Sequence, residues 1–212
     1  MSKPAPNGEL TIFVVDDDDA FRDSLCWLLE STNRPIQTFE SGERFLADYK
    51  GTPGCLLLDI RMPGLNGLAL QQELNTRGVR LPTLILTGHG DIPMAVTAIK
   101  NGALDFVEKP FDDQVLLDHV DKALSLADQW HQEQQQRQQL LQRWDTLSKR
   151  EKQVMELVVS GSANKVIAES LKISPKTVEV HRARVMSKME AESLADLVNQ
   201  AHRIDALSKL LS

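Results

Sequence analysis

Short apolar runs alternate with amphipathic stretches along the N-terminal part of the chain. The apolar runs have the length of strands and comprise residues 10–15, 36–39, 55–58, 83–86 and 104–107. Between them, apolar residues recur at helical spacing, as Phe21, Leu25 and Leu28 do in the first stretch. Strands that alternate with helices in this way predict an α/β fold with a doubly wound, five-stranded parallel sheet.

The pattern changes between residues 129 and 145, where Gln predominates and almost no apolar stripe is present. Because the residue types are good helix formers, we expect a helical linker that extends the preceding helix. Two alternatives remain open. Trp130, Arg137 and Trp144 recur every seventh residue, which is typical of a weak coiled coil. The low complexity of the stretch is also compatible with disorder.

The C-terminal part is predicted to be a separate all-α domain of four helices. Ser148 and Glu151 have the spacing of a capping box at the start of its first helix. Ser174 and Pro175 supply the N-cap and the first-turn proline of its third helix, residues 176–189. A short turn precedes that helix, as in a helix-turn-helix whose later helix enters the major groove of DNA. The predicted division is therefore residues 9–128, 129–145 and 146–208.

The predicted third helix has one apolar face and one open face. Val178, Val185 and Met189 share the inward side at helical spacing. The candidate DNA-contacting residues on the other side and its flanks are Lys176, Thr177, Glu179, Val180, Ala183, Arg184 and Lys188. The basic members of this set could contact phosphates, while Glu179 and Val180 could read base edges. A basic, solvated helix of a small bundle is the alternative.

Charge supports the division into two domains. The 212 residues are 42% hydrophobic and carry a formal net charge of −6, as in an ordinary soluble globular protein. Residues 1–128 contain 11 Lys and Arg against 20 Asp and Glu, whereas residues 129–212 contain 13 against 10. Such asymmetry indicates domains with different partners, and nucleic acid fits the basic one. Since no apolar run approaches the length of a membrane span, we expect a cytoplasmic protein without membrane contact.

Polar residues stand where four of the predicted strands end: Asp16 and Asp17, Asp59, Thr87, and Lys109. In a parallel sheet these ends meet at one edge. Three carboxylates at close range repel one another and are relieved by a hard divalent cation such as Mg²⁺ or Mn²⁺. A cation, a lysine and a hydroxyl can neutralise a phosphoryl group during transfer, and Asp59, alone on its strand, is the predicted nucleophile. The alternative is a solvated acidic edge beside an unrelated Lys-Pro turn.

Four motifs in residues 9–128 resemble the receiver domain of two-component response regulators, which has a flavodoxin-like fold. They are Val15-Asp16-Asp17, Leu58-Asp59-Ile60-Arg61-Met62-Pro63-Gly64, Thr87-Gly88-His89-Gly90-Asp91 and Glu108-Lys109-Pro110-Phe111. The resemblance implies that Asp59 accepts a phosphoryl group from a sensor histidine kinase. It also implies that the Asp17 and Asp59 side chains and the Arg61 carbonyl bind Mg²⁺, with Asp16 acting through water.

By the same resemblance, Thr87 and Lys109 hold phosphoryl oxygens, Phe106 is an aromatic switch, and the Lys109–Pro110 bond is cis. Phosphatases of the haloacid dehalogenase type also use an Asp at a strand end, but they require a second Asp two positions later as acid and base. In this chain that position is Arg61. We therefore do not expect an enzyme.

Residues 146–208 resemble the LuxR-type output domain, through Leu147-Ser148-Lys149-Arg150-Glu151, Asn164-Lys165-Val166-Ile167-Ala168 and Ile173-Ser174-Pro175-Lys176-Thr177-Val178-Glu179-Val180-His181-Arg182. The pair Met189-Glu190 departs from the Leu-Gly or Leu-Asn of many relatives. With its receiver-like half, the whole chain resembles FixJ-type transcriptional regulators. That resemblance implies control of double-stranded DNA binding by phosphorylation, with RNA polymerase as a further partner.

Phosphorylation is predicted to produce a homodimer through residues 93–108, where Lys100, Asp105 and Glu108 offer charges of both signs. A lone output domain touches only a few base pairs, so two linked copies are needed for useful affinity. A LuxR-type regulator controlled by a small ligand is the rival hypothesis. It would require an apolar pocket in the N-terminal half, where the sequence predicts an acidic cleft.

Overall fold

The computed structural model describes residues 9–88 and 92–210, and places them in two compact units, Met1–Gln132 and Glu133–Ser212. His89, Gly90 and Asp91, which belong to the third receiver-like motif, lie outside the described residues. None of the described helices is long and apolar enough to cross a membrane.

The first unit is a five-stranded parallel sheet with the strand order β2-β1-β3-β4-β5. The strands are β1 Thr11–Val15, β2 Ile36–Phe39, β3 Gly54–Asp59, β4 Thr83–Thr87 and β5 Asp105–Glu108. The helices are α1 Asp19–Leu29, α2 Gly42–Asp48, α3 Gly67–Thr76, α4 Ile92–Lys100 and α5 Asp113–Asp145. The predicted doubly wound sheet is therefore confirmed, in the strand order of flavodoxin-like proteins.

Side chains alternate across the sheet and bury an apolar layer on each face. Leu57 of β3 packs with residues of α1 and α5 on one face. Its neighbour Leu58 packs with residues of α2, α3 and α4 on the other. Because both faces are covered, the strands are continuous apolar runs in the sequence, and their reactive polar side chains lie at the strand ends.

Gly67, at the start of α3, allows close packing behind β3. A Cβ at this position would lie 2.2 Å from the carbonyl oxygen of Asp59, a separation that no side chain can tolerate. The Gly67 N–H donates to the Ile60 carbonyl at 3.1 Å and holds the loop after β3 against the sheet. The backbone that carries Asp59 is therefore fixed by a residue that must lack a side chain.

The second unit contains the end of α5, followed by α6 Lys149–Val159, α7 Asn164–Leu171, α8 Pro175–Met189 and α9 Leu194–Leu210. Helix α5 continues without interruption through the stretch predicted as a linker. Leu140 in this stretch is buried and, with Trp144, packs in the core of the second unit. The last turns of α5 therefore contribute to the core of that unit.

Candidate functional site

Two acidic side chains meet at the carboxyl edge of the sheet. Strand β1 is followed by Asp16 and the adjacent strand β3 ends on Asp59, with Val15 opposite Leu58 in the register. The chain leaves these two strands in opposite directions along the sheet, since β2 lies beyond β1 and β4 beyond β3. Parallel α/β sheets bind ligands in the crevice at such a switch point.

Lys109 joins these two carboxylates. Its ammonium lies 2.7 Å from Oδ2 of Asp16 and 2.7 Å from Oδ1 of Asp59. Its backbone N–H donates to the Thr87 carbonyl at 2.7 Å, which fixes the end of β5 against β4. The Lys109–Pro110 peptide bond is cis, as the resemblance implied. The structure therefore brings together three predicted site residues from strands far apart in sequence.

Asp59 is largely removed from solvent, with 8% of its surface exposed. Its Oδ2 accepts a hydrogen bond from the backbone N–H of Arg61 at 2.6 Å, while Oδ1 accepts from Lys109. Burial raises the pKa of Asp59, against the lowering effect of the Lys109 ammonium. The result is a desolvated, oriented carboxylate beside a positive charge, as a nucleophile that attacks a charged phosphoryl group requires.

Asp17 follows Asp16 in the loop after β1. It is exposed, and within the described residues no three His, Cys, Asp or Glu side chains are arranged to hold a metal ion. Asp16 and Asp59 are the two carboxylates that Lys109 joins, and the place of Asp17 beside them stays a prediction. The donor chemistry still fits Mg²⁺, since carboxylate and carbonyl oxygens are its preferred ligands.

Thr87 and Phe106 lie next to this cluster in the sheet. Thr87 ends β4, is fully buried, and its hydroxyl donates to the Gly88 carbonyl at 3.3 Å. Phe106, on β5, is half-buried and packs against the core layer that faces α2, α3 and α4. The structure therefore has a hydroxyl side chain at the end of β4 and a half-buried aromatic ring on β5, and their phosphoryl-binding and switch roles stay predictions.

Sequence reasoning missed two contacts of this cluster. The Arg22 guanidinium donates to the Asp16 carbonyl and pairs with Asp19. The ring of Phe21, placed by its spacing on the apolar face of α1, also lies 3.8 Å from the Lys109 ammonium. Helical spacing gives the face that Phe21 occupies, but it gives no sign of a partner 88 positions away in the chain.

The second candidate site is α8. The Ser174 side chain accepts from the Thr177 N–H at 3.0 Å, and Pro175 occupies the first helical position, as predicted. Val178, Val185 and Met189 are buried, which confirms the inward face. The exposed residues of the opposite face and its flanks include Lys176, Glu179, Val180, Ala183, Arg184 and Ser187. Part of this face borders an open depression of about 520 Å³.

Lys188, predicted as one of the basic DNA-contacting residues, is exposed but is also bonded within the second unit. Its ammonium donates to Oε2 of Glu151 at 2.8 Å and to the Thr146 carbonyl at 2.9 Å. Glu151 is buried and completes the predicted capping box with Ser148. The hydrogen bond from Lys188 and that from the Ser148 backbone lower the pKa of Glu151 to about 2. Lys188 therefore holds α6 to α8.

We expect Lys188→Met to destabilise the second unit by about 1–3 kcal/mol, because buried Glu151 loses a charged donor. A carboxyl with a lowered pKa contributes stability above its unfolded pKa, near 4.5, and loses it as the pH falls towards the folded value of about 2. The difference in the free energy of unfolding between the variant and the wild type should therefore become smaller in acid. Urea unfolding followed by circular dichroism measures this free energy. Lys165→Met, at an exposed position of α7, is the control. An equal effect of both substitutions would contradict the role of Lys188 in holding α6 to α8.

Two family models match the chain, one in each unit. Residues 12–121 match the response regulator receiver domain, and residues 145–201 match the bacterial regulatory proteins of the luxR family. The transcriptional regulatory protein FixJ of Azorhizobium caulinodans is 47% identical over 195 residues, which cover 91% of this chain and 92% of that protein. TdiR of Thauera aromatica is 47% identical over 190 residues, covering 89% of this chain and 84% of TdiR.

Solved structures show the same relationship. The response regulator StyR superposes with a TM-score of 0.85 at 41% identity, covering 92% of this chain and all of that one. Full-length FixJ of B. japonicum gives a TM-score of 0.55 at 43% identity, covering 91% and 96%. These findings favour a receiver over the ligand-controlled alternative. The chain therefore belongs to the two-component response regulators, in which a receiver domain is followed by a LuxR-type DNA-binding domain.

Proposed function

We propose that Asp59 accepts a phosphoryl group from a sensor histidine kinase, and that this modification makes the chain dimerise and bind specific sites on double-stranded DNA. The observation that carries the proposal is the buried Asp59 carboxylate at the switch point of the sheet, 2.7 Å from the Lys109 ammonium. Through RNA polymerase, the bound dimer regulates transcription, and the protein acts in the cytoplasm.

In the proposed transfer, an oxygen of Asp59 forms a bond to phosphorus while the P–N bond of the phosphohistidine breaks. The electron pair of that bond stays on the imidazole. Lys109 and Thr87 would contact the phosphoryl oxygens. Mg²⁺ or Mn²⁺, held by Asp16, Asp17, Asp59 and the Arg61 carbonyl, would supply further charge neutralisation when bound.

DNA binding is assigned to the exposed face of α8, which would lie in the major groove. The proposed contact residues are Lys176, Thr177, Glu179, Val180, Ala183 and Arg184. Lys188 is left out of this set because Glu151 and Thr146 hold its ammonium. The basic residues would position the helix on phosphates, and Glu179 and Val180 would read bases.

Selection from a randomised DNA pool tests the proposal as a whole. The full-length chain, with Mg²⁺ and acetyl phosphate, is expected to enrich a two-part sequence. Without acetyl phosphate, the enrichment should be at least tenfold weaker, since paired domains gain effective concentration on a two-part site. Equal enrichment with and without the phosphodonor would contradict phosphorylation control.

Glu179→Ala is expected to relax the preference at one base pair of each half-site by about 1–3 kcal/mol, because its carboxylate can accept from cytosine N4. The same selection, repeated with the variant, measures this loss. Glu156→Ala removes the same charge from the exposed side of α6 and serves as the control. If Glu179→Ala selects the same sequences as the wild type, Glu179 does not read DNA.

A further inference from the structure

The Lys109 ammonium has a third neighbour besides its two carboxylates. The ring centroid of Phe21 lies 3.8 Å away, within the range of a cation–π contact. The Lys109 side chain is only 22% exposed. An ammonium has three N–H donors, and an aliphatic stem leaves it free to rotate. Asp16 and Asp59 accept hydrogen bonds from the ammonium, and the Phe21 ring supplies a third contact.

Phe21 is itself held rigidly. Its backbone N–H donates to Oδ1 of Asp18, the N-cap of α1, at 3.1 Å. Its ring meets the ring of Phe111 edge to face, with centroids 6.0 Å apart and an angle of 69° between the planes. Both rings pack against the core layer that faces α1 and α5. Phe21 therefore presents a ring face to Lys109 while its own contacts with Phe111 and the core lie elsewhere on the ring.

From these contacts we propose that Phe21 is a positioning residue for phosphoryl transfer to Asp59, acting through Lys109. The inference rests on the function proposed above. During transfer the ammonium must follow negative charge from the Asp59 carboxylate to the phosphoryl oxygens. A ring face attracts a cation without demanding a hydrogen-bond direction, so the ammonium can move between these oxygens while the contact persists. Phe21 thereby keeps Lys109 aimed at the site.

Labelling of the full-length chain by acetyl phosphate in Mg²⁺ tests the kinetic part. In this reaction an Asp59 oxygen forms a bond to phosphorus, the P–O bond to the acetyl group breaks, and acetate leaves with the electron pair. Phe21→Leu should slow labelling by roughly threefold to thirtyfold, the range to which such a cation–π contact corresponds. Phe21→Trp, which keeps an aromatic face, should restore at least half the wild-type rate.

Phe111→Leu is the matched control, because Phe111 is the other partly buried ring of the same aromatic pair, whereas the cation–π contact with the Lys109 ammonium is made by Phe21. Labelling by this variant should stay within about twofold of wild type, as expected for a change confined to packing. If Phe111→Leu slows labelling as much as Phe21→Leu, or if Phe21→Leu labels at the wild-type rate, the positioning role is refuted.

A spectroscopic measurement separates positioning from packing without any phosphodonor. In the wild type the ring current of Phe21 should shift the Lys109 ε-methylene protons upfield, which NMR of lysine-labelled full-length chain detects. Phe21→Leu should abolish the shift and Phe111→Leu should retain it; a shift that survives Phe21→Leu would overturn the inference.

Failure of this inference can be told from failure of the proposed function. If the wild type takes no label, the proposed function fails. If the wild type is labelled and only the Phe21 effects are missing, this inference alone fails.

Discussion

Replacement of Asp59 by Asn should abolish phosphorylation of the full-length chain by acetyl phosphate and Mg²⁺. The amide lacks the negative charge and the nucleophilicity of the carboxylate, and Asp59 is the carboxylate that is both buried and bonded to Lys109 and to the Arg61 N–H. We expect labelling to fall by at least a thousandfold, which corresponds to about 4 kcal/mol of lost transition-state stabilisation. Incorporation of radioactive phosphate measures it directly.

Asp23→Asn is the control for this experiment, because Asp23 is an exposed carboxylate of α1. It should take up label at the wild-type rate. The Asp59→Asn protein should keep the wild-type circular dichroism spectrum, since an amide fills the same space. Label that persists in folded Asp59→Asn protein would move the acceptor to another carboxylate, of which Asp16 is the nearest candidate through its bond to Lys109.

The convergence of Asp16, Asp59 and Lys109 could be predicted because parallel strands bring their carboxyl ends to one edge whatever their separation in sequence. The exposure of Asp17 could not, since Asp17 is the second residue after β1 and the direction of its side chain depends on the local loop. Strand alternation fixes direction only within β1, where Val14 and Val15 enter opposite core layers.

Helix α8 also has features that its own sequence predicts and features that depend on residues far away in the chain. Its buried side could be predicted from spacing, and all three residues of that side are buried. Lys188 looked equivalent to Arg184 on the same helix, yet its partner Glu151 lies 37 positions earlier. A helical projection contains only one helix, so it cannot distinguish a lysine that binds a neighbouring helix from one that awaits a ligand.

The start of the second unit shows that a helix with few apolar residues can take part in a core. Residues 129–145 have almost no apolar stripe, and the sequence left a linker helix, a coiled coil and disorder open. In the structure Leu140 is 5% exposed and packs with Trp144 in the core of the second unit. These two residues, four positions apart, lie on one helical face, and through them the end of the helix packs in that core.

Phosphorylation should convert the free chain from a monomer to a dimer through α4 and β5. The charged residues of this surface were predicted from the sequence. The structure shows that the same segment also exposes apolar side chains, since Val96, Ile99 and Leu104 are between 38% and 43% exposed. Exposed apolar side chains next to charges of both signs suit a two-fold contact between identical copies. Light scattering at tens of micromolar protein should report a doubled mass when beryllofluoride and Mg²⁺ are added.

The coupling to Asp59 would pass through the strands between the site and this surface. Thr87 ends β4 and Phe106 stands on β5, directly beside the segment that carries Leu104. If Thr87 and Lys109 close on the phosphoryl oxygens, the half-buried Phe106 ring can turn inward, and the α4 and β5 surface repacks. Phe106→Ala should therefore leave labelling of Asp59 intact while weakening the doubling of mass.

Two further variants test the charged and the apolar contributions to the dimer contact separately. Lys100→Glu removes one sign of charge from the surface and Ile99→Asp removes its apolar part, so each should raise the dimer dissociation constant by at least tenfold, or about 1.4 kcal/mol. Trp27→Asp is the control, because Trp27 is 77% exposed on α1, which packs against the opposite face of the sheet. Equal mass in the free and beryllofluoride-bound states would exclude dimerisation as the switch, and control would then have to act by releasing an inhibited DNA-binding domain.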